Sequence, residues 1–240
     1  MIKGIYTTAS GMYPLVLEED VTSNNLANLN TTGFKKEAVY FKQVLDSQFA
    51  LANQMDNESD MADVEAVMTN YSQGELRATN NSLDVAIDGK GFFAVQTPDG
   101  ERYTRNGNFK LLENGQLVTA DGHPVLGMSG VIELLPEQVE IHEKGEIFQN
   151  GVQVDQLKIV NFEEPYPLLK EGEGLFNLTK NVTEINNENN IVIRQGYLEE
   201  SNVNPISEMI KLITISKIFQ AGQRSIQNQD RTLKVGEYCR

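Results

Sequence analysis

The residues with the greatest chemical promise lie in Gly89-Lys90-Gly91-Phe92-Phe93-Ala94, which satisfies the relaxed dinucleotide fingerprint Gly-x-Gly-x-x-Gly/Ala. Such a loop holds a pyrophosphate only when a strand leads in and a helix leads out, so that N–H groups and the helix dipole face the phosphates. Here the residues that follow, Phe92 to Gln96, read as a strand, and a hairpin turn is the better reading. His123 stands in a Gly-His-Pro turn and His142 beside a strand, and neither has a cysteine or a second histidine at metal-ligand spacing. Cys239 has no base near it in sequence, and no serine occupies a Gly-x-Ser-x-Gly elbow. Glu18-Glu19, Glu163-Glu164 and Glu199-Glu200 are adjacent acids. Paired carboxylates do acid–base work when burial splits their pKa values, but neighbours along a chain read as a solvated face. Nothing here argues for an enzyme, a cofactor, a metal or a small-molecule substrate.

The elements that would have to position such groups are more informative. The chain has 240 residues, 40% of them hydrophobic, enough for one large domain or two small ones with a real core. Its formal charge of −14 has the wrong sign for nucleic acid or an anionic membrane surface. One cysteine permits no disulfide within the chain. Thr7, Thr8 and Ser10 interrupt any early apolar run, so no cleaved signal peptide is read. The segment "MIKLITISKIF" carries Lys211 and Lys217 and is too short to span a bilayer, so no direct membrane insertion is expected and the chain reads as soluble.

Residues 2 to about 28 have helical spacing: Ile2, Ile5, Ala9, Met12 and Val16 recur at three and four, with Leu26 on the same frame. Pro14 predicts a kink or break after Gly11, and Gly33 a helix stop. Residues 35–49 keep a weaker helical period, and "ANQMDNESDMADVEAVMTN" turns acidic and reads as a linker or extended arm. From about 76 to 200 the period is two. Turn pairs at Asp88-Gly89, Asp99-Gly100, Asn114-Gly115, Asp121-Gly122, Lys144-Gly145 and Asn150-Gly151 predict antiparallel hairpins, and "NGQLV" and "KGEIF" look like one hairpin idea used twice. "KNVTEINNENN" reads as a polar loop before a last strand, "IVIRQGYLE".

Asn204 then suits a helix cap and Pro205 the first helical position. Ile206, Met209, Ile210, Leu212, Ile213, Ile215, Ile218 and Phe219 go nearly all the way round the helix they predict, and Ile226 and Leu233 continue a narrower seam. The fold class is mixed: an antiparallel β central domain with N- and C-terminal α-helices that pair as a coiled-coil-like stalk. The domain boundaries read 1–33 for the first helix, 34–75 for the arm, 76–200 for the β domain and 201–240 for the second helix. Helices 2–28 and 205–235 would span about 40 Å and about 46 Å, similar lengths for pairing. A pair buries only one face of each, so the remaining faces ask either for further copies of the chain in an open helical array or for the β domain of a monomer.

Three segments carry a family resemblance: "TSNNLANLNTTGFKK" at 22–36, the block from "NNSLDVAIDGKGFF" to "ADGHPVLG", and "GYLEESNVNPISEMIKLITISKIF" near the end. Their content and order resemble the bacterial flagellar basal-body rod and hook proteins. The resemblance implies a structural, axial subunit of the rod, exported without cleavage by the flagellar type III export apparatus. It would assemble with itself and with other rod and hook axial proteins in the periplasmic space and transmit torque. The modest length resembles the proximal-rod (FlgF) type more than the distal-rod (FlgG) type, a soluble monomeric β-domain binding module or a hook-related protein being the alternatives. Asn24, Asn25, Leu26, Ala27, Asn28, Thr32, Gly33 and Phe34 match the first motif, and Ser201, Asn202, Val203 and Asn204 the lead-in to the second helix. The implied role of these residues, and of the apolar positions on both helices, is subunit contact. Buried amides at 24, 25 and 28 would bond to adjacent helices and fix register, as a buried asparagine does in coiled coils.

Overall fold

The structure is a computed structural model that describes residues 2–43, 62–179 and 191–238; side-chain burial is described for 11–40, 67–179, 191–229 and 231. The acidic run 44–61, the polar loop 180–190 and Cys239 lie outside the described residues, as do the side chains of Ile2, Ile5, Ala9 and Leu233. The chain divides into two compact units. One comprises Met1–Ala27, Lys36–Asn70 and Val203–Arg240, the other Asn28–Lys35 and Tyr71–Asn202.

In the helical unit, α1 (Ile2–Ala27) lies against α2 (Pro205–Tyr238) and against the first of two antiparallel strands, β1 (Glu37–Gln43) and β2 (Ala62–Thr69). The β unit holds β3 (Leu76–Ala78), β4 (Val85–Asp88), β5 (Phe92–Thr97), β6 (Gly100–Thr104), β7 (Phe109–Leu111), β8 (Leu117–Thr119), β9 (Leu126–Gly127) and β10 (Gly130–Val131). It continues with β11 (Val139–Ile141), β12 (Glu146–Gln149), β13 (Val152–Gln156), β14 (Ile159–Val160), β15 (Leu168–Gly172), β16 (Leu175–Leu178), β17 (Val192–Gln195) and β18 (Tyr197–Glu199). Every pairing among them is antiparallel. The largest sheet has the order β14-β5-β6-β16-β15, a second β11-β12-β13, and the remaining strands form two-stranded pairs. A mostly antiparallel β domain with a helix at each end of the chain is thus the architecture.

The turns follow from their residues. In three places a carbonyl accepts from the N–H of a glycine three residues on while the same residue's N–H donates to the carbonyl four on: Leu112/Gly115/Gln116, Thr119/Gly122/His123 and His142/Gly145/Glu146. This is a type I turn closed by a left-handed glycine, the three-residue hairpin form. The likeness between "NGQLV" and "KGEIF" is therefore a likeness of backbone. At Asn150-Gly151 both φ values are positive, 52° and 77°, as a two-residue type I′ loop between paired Gln149 and Val152 requires.

The core sits on both faces of β5. Phe93 and Val95 enter one apolar cluster with Val85, Phe109, Leu117 and Ile147, whereas Phe92 and Ala94 enter a second with Tyr103, Phe162 and Phe176. Successive side chains of a strand point to opposite faces, so a strand buried on both is apolar throughout. In the second cluster Phe92 meets Tyr71, Tyr166 and Phe176 edge-on with ring centroids 5.5–6 Å apart in round terms, the arrangement the ring quadrupoles favour.

Four local expectations are corrected. Residues 37–43 are strand, not helix: Val39, Tyr40 and Phe41 favour a pleated surface, and pairing with β2 outweighs a weak helical period. Of the kink or break expected at Pro14 the break is absent: α1 is continuous through it, with the proline buried so that its ring adds to the packed face. Gly33 does not stop α1, which ends six residues earlier at Ala27. Asp88-Gly89 makes no hairpin, because β4 pairs with β17 while β5 pairs with β6 and β14; the turn carries the chain from one sheet to another.

Candidate assembly surface

α2 starts as its sequence dictates. Asn204 Oδ1 accepts from Ser207 N at 3.1 Å, the Asn204 carbonyl accepts from Glu208 N, and Pro205, which has no N–H to lose, is the first helical residue. At about 100° per residue, the apolar residues that seem to go all round then resolve into two opposed faces. Glu208 and Ile215 are buried, and Leu212, Phe219, Gly222 and Ile226 on the same side are half-buried. That face meets α1: Lys211 pairs with Glu18 at 2.9 Å, and the Met12 sulfur lies 3.1 Å from where a Cβ on Gly222 would stand. On the other face Ile206 (69% exposed), Met209 (51%), Ile210 (59%) and Ile213 (55%) form a bare stripe about one third of the circumference wide. Lys217 and Gln220 follow on the same line and end it. Ile218, 49% exposed, stands to one side.

On α1 the buried line runs through Pro14, Val21, Thr22 and Asn25. It is offset from the sequence-derived seam: Met12 is half-buried, but Val16 is exposed, as is Tyr13. Leu26 and Asn28 are half-buried and Asn24 is exposed. Asn25, 1% exposed, donates from Nδ2 to the Glu37 carbonyl (2.8 Å) and accepts at Oδ1 from Glu37 N (2.9 Å). One amide thus satisfies both backbone groups of the first residue of β1. The register that Asn25 fixes lies inside its own chain. Next to Glu37, Lys36 pairs with the buried Glu208 of α2.

The other motif residues meet within the β unit. Gly33 has φ +68° and donates its N–H to the Glu199 carbonyl at 2.8 Å; a Cβ there would sit 2.5 Å from the Arg105 carbonyl carbon, so only glycine fits. Phe34 is buried with the Lys170 ammonium 3.8 Å from its ring centroid. Asn202 donates through Nδ2 to the Ser72 carbonyl at 3.0 Å and its hydroxyl at 3.1 Å, and Val203, in the helical unit, is buried.

Lys35 and Arg105, which the sequence did not single out, are buried together with Glu199. Lys35 is fully buried and donates to Glu199 Oε1 at 2.5 Å and to the Ser72 carbonyl at 2.8 Å. Glu199 Oε1 also accepts from Gly74 N (2.9 Å), and Oε2 from Arg105 Nη1 (3.2 Å). Arg105 Nη2 reaches the Gly89 carbonyl at 2.8 Å, and the guanidinium stands over Phe92. Burial pushes both the Lys35 ammonium and the Arg105 guanidinium below their ordinary pKa ranges, against the opposing pull of Glu199. The solvated reading of Glu199-Glu200 is corrected for its first member: Glu200 is exposed beside Arg77, but Glu199 is the hub of a buried triad. Its partners stand 164 and 94 positions away, a separation no local pattern announces.

The groups that opened the sequence reading do not converge. Gly89-Lys90-Gly91 is followed by β5 and by no helix; His123 faces Glu173, His142 stacks on Phe148, and no metal-holding cluster exists among the described residues. No helix among the described residues is long and apolar enough to cross a membrane.

Comparison with known proteins names the kinship. The family described as "Flagella basal body rod protein" matches residues 5–35, "Flagellar hook protein FlgE/F/G D1 domain" matches 86–156 and "Flagellar basal body rod FlgEFG protein C-terminal" matches 194–236. Similar relatives include the flagellar basal-body rod protein FlgF of Caulobacter vibrioides, 35% identical with 95% of this chain and 94% of the relative covered. FlgG of Borreliella burgdorferi is 31% identical (98% and 97% covered), as is FlgG of Bacillus subtilis (98% and 97%). All three names describe rod components, and none describes a catalyst. The kinship is thus to the flagellar rod and hook proteins as a class. The chain belongs to the flagellar basal-body rod protein family.

Proposed function

We propose that this chain is a structural subunit of the rod, assembling helically with copies of itself and with other rod and hook proteins through α1 and α2. The observation that carries the reading is the bare stripe Ile206, Met209, Ile210 and Ile213 on a helix whose opposite face is already covered. Contiguous apolar surface of this kind on a folded chain marks a contact surface. Other apolar positions of the two helices, Ile2, Ile5, Ala9, Val16 and Leu233 among them, extend the contact, and α1 with α2, whose facing side includes Ile226, forms a coiled-coil-like stalk. Tyr13 and Val16, exposed on α1, supply a second apolar spot.

The proximal, FlgF-type position is the one we favour. Alignments to the FlgG relatives run over 261 and 260 residues, longer than this chain of 240, whereas that to the Caulobacter FlgF spans 233. The chain therefore lacks segments that the FlgG relatives carry. As a rod subunit it would stand in the periplasmic space, reach it through the flagellar export apparatus without a cleaved signal, and pass torque along interlocked helices. Deleting residues 205–240 should abolish incorporation into basal bodies and swimming. Normal motility of cells carrying only the truncated chain would sink the proposal.

A further inference from the structure

Three stretches far apart in sequence converge on one carboxylate within the β unit. Lys35 and Gly74 N both bond to Glu199 Oε1, and Arg105 bonds to Oε2. Around it, Gly33 N donates to the Glu199 carbonyl, Asn202 N to the Phe34 carbonyl at 3.4 Å, and the Lys35 ammonium and the Asn202 amide share the Ser72 carbonyl. Residues 33–35 thus lie in a lane walled by 72–74, 105–106 and 199–202, and they contribute to neither apolar core of the unit. What holds them is a set of backbone hydrogen bonds centred on an ionic cluster. Two buried cations share a single anion, and the buried Arg105 Nε meets no acceptor.

We propose that Glu199 is a latch: its carboxylate keeps the passage Gly33-Phe34-Lys35 seated in the β unit, and its loss releases that passage while both cores stay folded. Without the anion, the Lys35 ammonium lies buried beside Arg105 with its Coulombic environment reversed, and leaving the lane is the way to recover water. Phe34 leaves with it, because it is joined directly to Lys35 and the Lys170 ammonium that faces its ring also reaches the Lys35 carbonyl. The opening is local unfolding of one short segment. It stands independently of the rod assignment.

The test is hydrogen exchange with mass spectrometry on the full chain carrying Glu199→Gln, with trypsin cleavage after Lys35 as a second readout. Exchange across 31–35 and 72–74 should quicken about tenfold or more, and cleavage after Lys35 should appear, while 92–95, 117–119 and 147–149 keep wild-type protection. Lys35→Met added to Glu199→Gln takes away the stranded ammonium, so the double variant should regain most of the wild-type protection at 31–35. Unchanged exchange at 31–35 in Glu199→Gln, or no recovery in the double variant, overturns the latch. So does loss of core protection in either, since the carboxylate would then be part of the folded core.

Discussion

The two units solve the same problem differently. In the β unit the apolar side chains close on each other: Phe93, Val95, Val125 and Ile147 are wholly excluded from water, and β5 is covered on both faces. In the helical unit Ile206, Met209, Ile210 and Ile213 stay more than half exposed although Ile215, on the opposite side of the same helix, is buried. A difference of this kind within one chain teaches where completion comes from. The β unit closes two cores of its own and leaves Met128, Leu135, Val152 and Leu169 exposed, whereas in the helical unit the exposed Ile206, Met209, Ile210 and Ile213 share one face of one helix.

The comparison breaks first if the bare face proves idle. Ile210→Glu with Ile213→Glu should leave helix content unchanged in far-UV circular dichroism, glutamate being a good helix former, yet eliminate rod incorporation and swimming. Motile cells would show that the stripe has no partner. Next, Phe93→Ala should cost about 3–5 kcal/mol in denaturant unfolding, the range for an aromatic lost from a close-packed interior, whereas Ile210→Ala should shift unfolding by no more than about 0.5 kcal/mol. Similar costs for the two would erase the contrast.

Asn25→Ala should cost roughly 1–3 kcal/mol, because it removes the buried amide that bonds to both the N–H and the carbonyl of Glu37. Faster hydrogen exchange at 37–40 would report it, and an unchanged β1 would mean that water replaces the amide. The smallest effect concerns Glu171, whose carboxyl is held below the ordinary carboxylate range by hydrogen bonds from Arg102 and Asn177. A carboxyl with a depressed folded pKa contributes stability above its unfolded value of about 4.5 and loses it as pH falls through the folded pKa. Thermal melts between neutral pH and pH 3, a range of roughly four units about that carboxylate value, should therefore fall slightly less steeply for Glu171→Gln than for the parent.

Much of this was legible in the sequence because it is local. The turn pairs with glycine at a fixed offset announced three identical hairpin turns and the Asn150-Gly151 loop, and Asn204-Pro205 announced the start of α2. What stayed hidden depends on distant partners. β1 looked helical because its strand character comes from β2 and from Asn25; Glu199 looked solvated because Lys35 and Arg105 come from elsewhere in the chain. The stripe on α2 was present in the letters, but its division into a covered and a bare face required α1. Asn25, which the sequence suggested would speak to a neighbouring helix, speaks to the next strand of its own chain.

β5 carries one more consequence. A strand with a single wet face is addressed by its alternation, since slipping one residue would put greasy side chains in water. Phe92-Phe93-Ala94-Val95 has no wet face, so its letters say that it belongs inside but not where along its neighbour it should stop. That address is written at the far end, where Pro98-Asp99 forces Thr97 opposite Gly100 and so delivers Phe93 opposite Thr104. Two exposed residues of the hairpin thereby decide which phenylalanine goes to which core.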